Sequence, residues 1–325
     1  MLRSMYSGIS GLKNFQTKLD VIGNNIANVN TYGFKKGRVI FKDLISQTVA
    51  GASSGNGARG GVNPKQVGLG SQIAAIDTMH GGGSSQFTGN TLDLSISGDG
   101  FFQVADGIAA AGGPTGFTNP LYTRAGNFYM DNNGYLVNGD GKYLVGYSAT
   151  WDGALTTVGT SYPKADDVKA DANAKGNLDT GGANGYLPET APVTGAPTAG
   201  YKPMRIPTNA QSMSIGQDGT VTFVDSEGTL RWAGQLVLAK FPNPGGLNKV
   251  GANYFKDTAN SGAPVNQVAT KEGIGEVVSG FLEMSNVDLS EEFTDMIVAQ
   301  RGFQANTRII TTSDEILQEL VNLKR

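Results

Sequence analysis

The sequence predicts an α+β protein in which terminal α-helices form a coiled-coil-like inner domain and the middle is antiparallel and β-rich. Apolar residues recur every three or four positions at both ends of the 325-residue chain. In the interior the period changes to two, and Asn-Gly, Asp-Gly and Glu-Gly turns punctuate it. Helical ends that bracket a β body suit a subunit whose ends are joined and buried by polymerisation. The pattern points to assembly and not to catalysis.

At the amino end the first seam consists of Leu2, Met5, Ile9, Leu12, Phe15, Leu19, Ile22, Ile26 and Val29. A helix is expected from Ser4 to Asn28, roughly 37 Å long. Gly8, Gly11 and Gly23 each lower its intrinsic stability by about 1 kcal/mol relative to alanine, so packing must hold it. The polar run from Asn24 to Asn30 ends the helix, and Gly33 provides an exit. Val39 to Thr48 reads as a short extended or helical connector, and Gly51 to Gly70 as a linker poor in apolar anchors. Residues 31–72 together are expected as connector and glycine-rich linker.

From Ile73 the chain alternates, as in Leu92 to Ile96, and Phe101 to Val104 follow a turn at Gly98 to Gly100. Hairpin turns are expected at Asn133-Gly134, Asp140-Gly141, Asp218-Gly219 and Glu227-Gly228, each between β-forming residues. These features place an antiparallel β domain over residues 73–149 and 208–285. Residues 150–207 hold Pro163, Pro188, Pro192, Pro197, Pro203 and Pro207 and read as an inserted outer domain.

The carboxyl seam consists of Leu289, Phe293, Met296, Phe303, Ile310, Leu317 and Val321, three, four or seven apart. Asp288 with Glu291 reads as a capping box, and Glu291, Glu292 and Asp295 put negative charge at the positive end of the dipole. The helix is expected to reach Leu323, roughly 50 Å on. Residues 1–30 and 286–325 form the terminal helical assembly domain, and the two seams are the candidate assembly interface.

Charge supports a partner helix over a membrane surface. The first 42 residues carry Arg3, Lys13, Lys18, Lys35, Lys36, Arg38 and Lys42 against Asp20 alone. The carboxyl helix offers Glu291, Glu292, Asp295, Asp314, Glu315 and Glu319 in return. The plain alternative is a coiled coil within an ordinary monomer, and the helix glycines count against it.

Enzyme, cofactor and metal readings find no support. A net charge of -3 gives no general attraction to nucleic acid, and zero cysteines exclude disulfides and thiolate chemistry. Gly55 to Gly60 spells a dinucleotide-binding motif but stands in a linker, not between a strand and a helix. His80, the sole histidine, has no second histidine or cysteine to share a metal and is expected as a solvated turn residue. Asp131 to Gly134 lacks the further oxygens of a calcium loop, and no G-x-S-x-G elbow occurs. The amino end has no continuous apolar signal core, and no stretch approaches the roughly 18 apolar residues that span a bilayer, so membrane insertion is not expected.

Leu19 to Asn28 (LDVIGNNIAN) followed by Thr31 to Lys35 (TYGFK) resembles the amino-terminal signature of bacterial flagellar rod and hook proteins. Leu92 to Phe102 (LDLSISGDGFF) resembles the first strands of their β domain. Gly280 to Leu289 and Met296 to Arg301 resemble their carboxyl-terminal helix region. The resemblance implies a helical homopolymer forming a hollow axial tube in the hook–basal body. It also implies export through the flagellar type III apparatus without a cleaved signal. Gln235 to Phe241 and Ser285 to Ser290 favour the hook protein, a flexible joint carrying torque from rod to filament. Its partners would then be the distal rod protein, the hook–filament junction protein and the hook cap. Gly51 to Gly70 favours the alternative, a distal rod protein acting as a rigid drive shaft. A secreted β-rich adhesin or enzyme with helical ends is the reading from another class.

Overall fold

The computed structural model describes residues 2–55, 60–107, 117–148, 193–194, 201–226, 228–271 and 273–323. The chain forms two compact units, one of residues 1–29, 35–79 and 287–325, the other of residues 30–34 and 80–286.

The first unit holds helices α1 (Leu2–Ala27) and α2 (Leu289–Asn322). With them stands a two-stranded ribbon of β1 (Gly37–Asp43), β2 (Ser46–Ala50), β3 (Lys65–Gly68) and β4 (Ser71–Thr78). β1 pairs with β4 and β2 with β3, both antiparallel, and Leu44 N donates to Gly70 O at 2.8 Å between the two ladders. A bridge between Ser53 and Val62 carries the pairing further outward. The segment expected as a linker is therefore largely one arm of an extended hairpin, and the period-two signal at Ile73 belongs to that hairpin and not to the β domain.

A lone two-stranded ribbon is marginal in water. Here the inner half is tied to α1. Asn25 clasps Gly37, donating to its carbonyl and accepting from its N–H, both at 2.9 Å. Asn14 donates to Ser71 Oγ at 2.8 Å, and the Phe15 and Phe41 rings lie 6.4 Å apart. The outer half has no such cover: Ile45, Val49 and Val67 are 82%, 64% and 44% exposed.

The second unit runs through β5 (Ser85–Phe87), β6 (Leu94–Ser97), β7 (Phe101–Gly107), β8 (Phe117–Thr123), β9 (Phe128–Met130), β10 (Leu136–Asn138) and β11 (Tyr143–Ser148). It continues with β12 (Val193–Thr194), β13 (Lys202–Pro203), β14 (Ser212–Ile215), β15 (Thr220–Val224) and β16 (Leu230–Lys240). β17 (Asn248–Gly251), β18 (Tyr254–Lys256), β19 (Val265–Val268), β20 (Glu276–Ser279) and β21 (Phe281–Glu283) complete it. β16 is the spine of the main sheet, pairing antiparallel with β7, β11, β15 and β19. Every residue from Arg231 to Ala239 is buried, as in a strand covered on both faces.

Three of the four expected hairpin turns form, and at the fourth Gly228 stands between paired strands while Glu227 lies outside the described residues. The four positions join β9 to β10, β10 to β11, β14 to β15 and β15 to β16, with φ of 83°, 77°, 79° and 77° at Gly134, Gly141, Gly219 and Gly228. Leu94, Phe102, Phe128, Leu136, Leu236 and Leu238 fill the core, and the Phe102 ring meets Phe128 edge-on at 5.3 Å.

The boundary of the expected insert moves. Met204 and Ile206 are 0% and 1% exposed, and their N–H groups donate to Leu144 and Gly134. Residues 201–207 thus belong to the core, hidden in the sequence by the surrounding prolines. Of residues 150–200, only Val193–Thr194 lie within the described residues, pairing with β19.

His80 is also placed differently. Its ring packs edge-on against Phe101 and Phe255, with centroids 5.6 and 5.2 Å away, so it is an aromatic packing residue and not a solvated turn residue.

A buried polar knot closes the unit. Arg124 Nη1 meets Glu283 Oε2 at 3.2 Å with side chains 4% and 3% exposed. Arg124 also donates to the carbonyls of Ile96 and Gly98, and Gly83 N–H donates to Glu283 Oε1 at 3.0 Å. Gly33 N–H donates to the Glu283 carbonyl at 2.8 Å. Gly33 has φ +69°, and an added Cβ would stand 2.5 Å from Ala125 N, so only glycine fits. The TYGFK motif therefore anchors residues 30–34 to the root of the β unit.

Candidate assembly interface

α2 starts as expected: Asp288 accepts from Ser290 N at 2.8 Å and Glu291 N at 3.4 Å. Glu291 does not close the capping box; it pairs with Lys36 Nζ at 2.7 Å.

α1 and α2 pack antiparallel. Gly8 lies beside Ile309 and Ile310, Gly11 beside Asn306, Phe15 beside Gly302, Lys18 beside Asp295 and Asn25 beside Glu292. On α2 the seam has two columns, each of period seven. One is Met296, Phe303, Ile310 and Leu317, all half-buried; the other is Glu292, Ala299, Asn306 and Ser313, small or polar. Ala299 is 0% exposed. On α1 Ile22 is 3% exposed, while Met5, Leu12, Phe15, Leu19, Ile26 and Val29 are half-buried and Gly8 is buried. The Leu2 side chain lies outside the described residues.

Ile9, Leu289, Phe293 and Val321 do not join this seam and are 38%, 38%, 49% and 65% exposed. Ile297, Val298, Ile309, Ile316, Leu320 and Leu323 share their exposure, which periodicity alone did not single out.

Two helix glycines, Gly302 and Gly11, act as notches. An added Cβ at Gly302 would stand 2.5 Å from Phe15 Cζ, so the ring lies over bare backbone. Of the amino-helix glycines, Gly11 is a second such notch, with an added Cβ 3.0 Å from the Asn306 side chain, whereas Gly23 faces open space. Gly302→Leu is expected to overpack this crossing by about 1–3 kcal/mol and lower helix content in circular dichroism.

Two polar devices fix the register. Asn25 Nδ2 donates to Glu292 Oε2 at 3.1 Å in a buried position, and Lys18 pairs with Asp295 at 3.2 Å. The exposed ion pair contributes little, about 0–1 kcal/mol, whereas a buried polar pair disfavours slipped alignments. Complementary charge expected between basic and acidic helices is thus realised within the chain. Among the described residues no group of His, Asp or Glu is placed to hold a metal, and no helix is long and apolar enough to cross a membrane.

Three family profiles match the chain: "Flagella basal body rod protein" over residues 5–35, "Flagellar hook protein FlgE/F/G D1 domain" over 95–223, and "Flagellar basal body rod FlgEFG protein C-terminal" over 278–323. The flagellar basal-body rod protein FlgG of Bacillus subtilis is 50% identical over 327 positions, covering 100% of both chains. The flagellar hook protein FlgE of Borreliella burgdorferi is 36% identical over 451 positions, again covering 100% of both. The rod protein FlgG of Agrobacterium fabrum is 34% identical, covering 97% of each. The first and third profiles cover most of the two helices described above, and the second covers much of the β unit. The chain therefore belongs to the bacterial flagellar rod and hook protein family and is a structural subunit of the flagellum, not an enzyme.

Proposed function

We propose that this chain is a distal rod subunit of the flagellar basal body, polymerising into a hollow tube that acts as a rigid drive shaft. The observation that carries this reading is the full-length likeness to a rod protein, 50% identical over 327 positions against a chain of 325. The Borreliella burgdorferi hook protein needs 451 positions to align with the same 325 residues, so it carries long insertions that this chain lacks. That difference outweighs the hook-like motifs at Gln235 to Phe241 and Ser285 to Ser290. The partners are further copies of the chain and the adjoining rod and hook subunits. Export through the flagellar apparatus with the amino end retained completes the reading.

The test is complementation in Bacillus subtilis. The chain should restore swimming to cells lacking their own FlgG rod protein and fail in cells lacking their hook protein. The reverse result overturns the proposal.

The ribbon suits a shaft. Its outer half bears exposed Ile45, Val49 and Val67, which in a packed tube have neighbouring copies to lie against. Substituting all three with Asp should change monomer stability by no more than about 0.5 kcal/mol per site, since each is exposed. Tubes of the variant should bend more under flow. Unchanged buckling force in single-tube measurements would show that the ribbon does not brace neighbours.

A further inference from the structure

We infer that Asn25 couples the helix pair to the ribbon: α2, by holding the Asn25 side chain, makes order at the base of the β1–β4 ladder conditional on the pairing of α1 with α2. The coupling lies within one copy of the chain and holds whichever polymer that copy joins.

Asn25 is 2% exposed and bonds to two separate elements. Toward the ribbon its carboxamide meets the first residue of β1 as a neighbouring strand would. Oδ1 accepts from the Gly37 N–H and Nδ2 donates to the Gly37 carbonyl, both at 2.9 Å. Toward α2 the same Nδ2 donates to Glu292 Oε2 at 3.1 Å, and Glu292 is 6% exposed. An amide nitrogen carries two hydrogens, so one serves each element. A Cβ at Gly37 would stand 3.2 Å from Val21 Cγ1, so bare backbone is what brings the strand end this close.

Both partners require the same orientation of the amide. Turned over, it would set its oxygen against the Gly37 carbonyl and the Glu292 carboxylate, acceptor against acceptor. Once Glu292 has fixed that orientation, the strand end docks on a side chain already ordered and loses less freedom. The buried carboxylate also polarises the amide and strengthens its bonds to Gly37. A two-stranded ribbon is marginal alone, so added order at its base carries weight along the ladder. The neighbouring link from α2, Glu291 to Lys36 at 2.7 Å, has a Glu291 side chain 62% exposed and contributes little.

The test is hydrogen–deuterium exchange on the full chain, read over Gly37–Asp43 and over the first turns of α2. Glu292→Leu removes the acceptor and should speed exchange in β1 about tenfold. Glu292→Gln keeps an oxygen for Asn25 and should restore slow exchange. Unchanged exchange in the Leu variant, or a Gln variant as fast as the Leu one, overturns the coupling. Ile310→Ala loosens the same helix pair roughly 27 Å along α2 from Glu292. An equal effect of that change on β1 also overturns it, because the ribbon would then follow the seam as a whole and not Asn25. Where the Glu292 variants do not fold, the unmodified chain decides. Under rising denaturant, protection of β1 and of the first turns of α2 should vanish together, and a ribbon still protected after the helix has opened overturns the proposal.

Discussion

Replacing Glu283 with alanine is expected to destabilise the β unit by about 3–5 kcal/mol, because it strands the Arg124 guanidinium in a site only 4% exposed. The loss is compounded at the backbone. Gly83 N–H forfeits its acceptor, and nothing else in the knot replaces it. The measurement is the denaturant midpoint followed through Trp232, which is 2% exposed in this unit. A change below about 1 kcal/mol would mean that water reaches the pair in solution.

The second large effect is on the helices. Ile22→Asp buries a carboxylate at a seam position that is 3% exposed. The α1–α2 pair should open, and no tubes should be visible by electron microscopy. The unfolding midpoint of the β unit should stay where it is, since Ile22 belongs to the other unit. Native tubes from this variant would show that the α1–α2 seam is not needed for assembly.

How much of this was legible depended on what kind of signal each residue gives. Met296, Phe303, Ile310 and Leu317 stand out by size and by a spacing of seven, and the structure sets them in one column. Their companions Glu292, Ala299, Asn306 and Ser313 look like surface residues, yet small size and a buried hydrogen bond are what the close helix crossing requires. Gly11 was legible only as a penalty and Gly302 not at all, because a notch has meaning only beside the residue that fills it. The turn glycines were readable for the opposite reason: positive φ is a local demand that Asn133-Gly134 meets alone.

Long-range pairing was hidden. Nothing near Gln66 announces that it will lie opposite Thr48, so a strand arm passed for a linker. His80 gave no cue that its neighbours would be Phe101 and Phe255, which come from separate strands. Likewise Met204 and Ile206 sit among prolines, and their burial follows from partners at Leu144 and Gly134.

The position of β16 at the centre of the sheet governs when the chain can fold. A ribosome completes β7 and β11 long before it reaches Leu230, and both strands need β16 as a neighbour. Arg124 waits longer still, since its counter-ion is made only at residue 283. Such distant contacts make for slow folding, because the chain loses loop entropy before any pairing compensates. Through synthesis of its first two-thirds the nascent polypeptide has no complete core, and the edges that await β16 stand open to whatever factor captures them first.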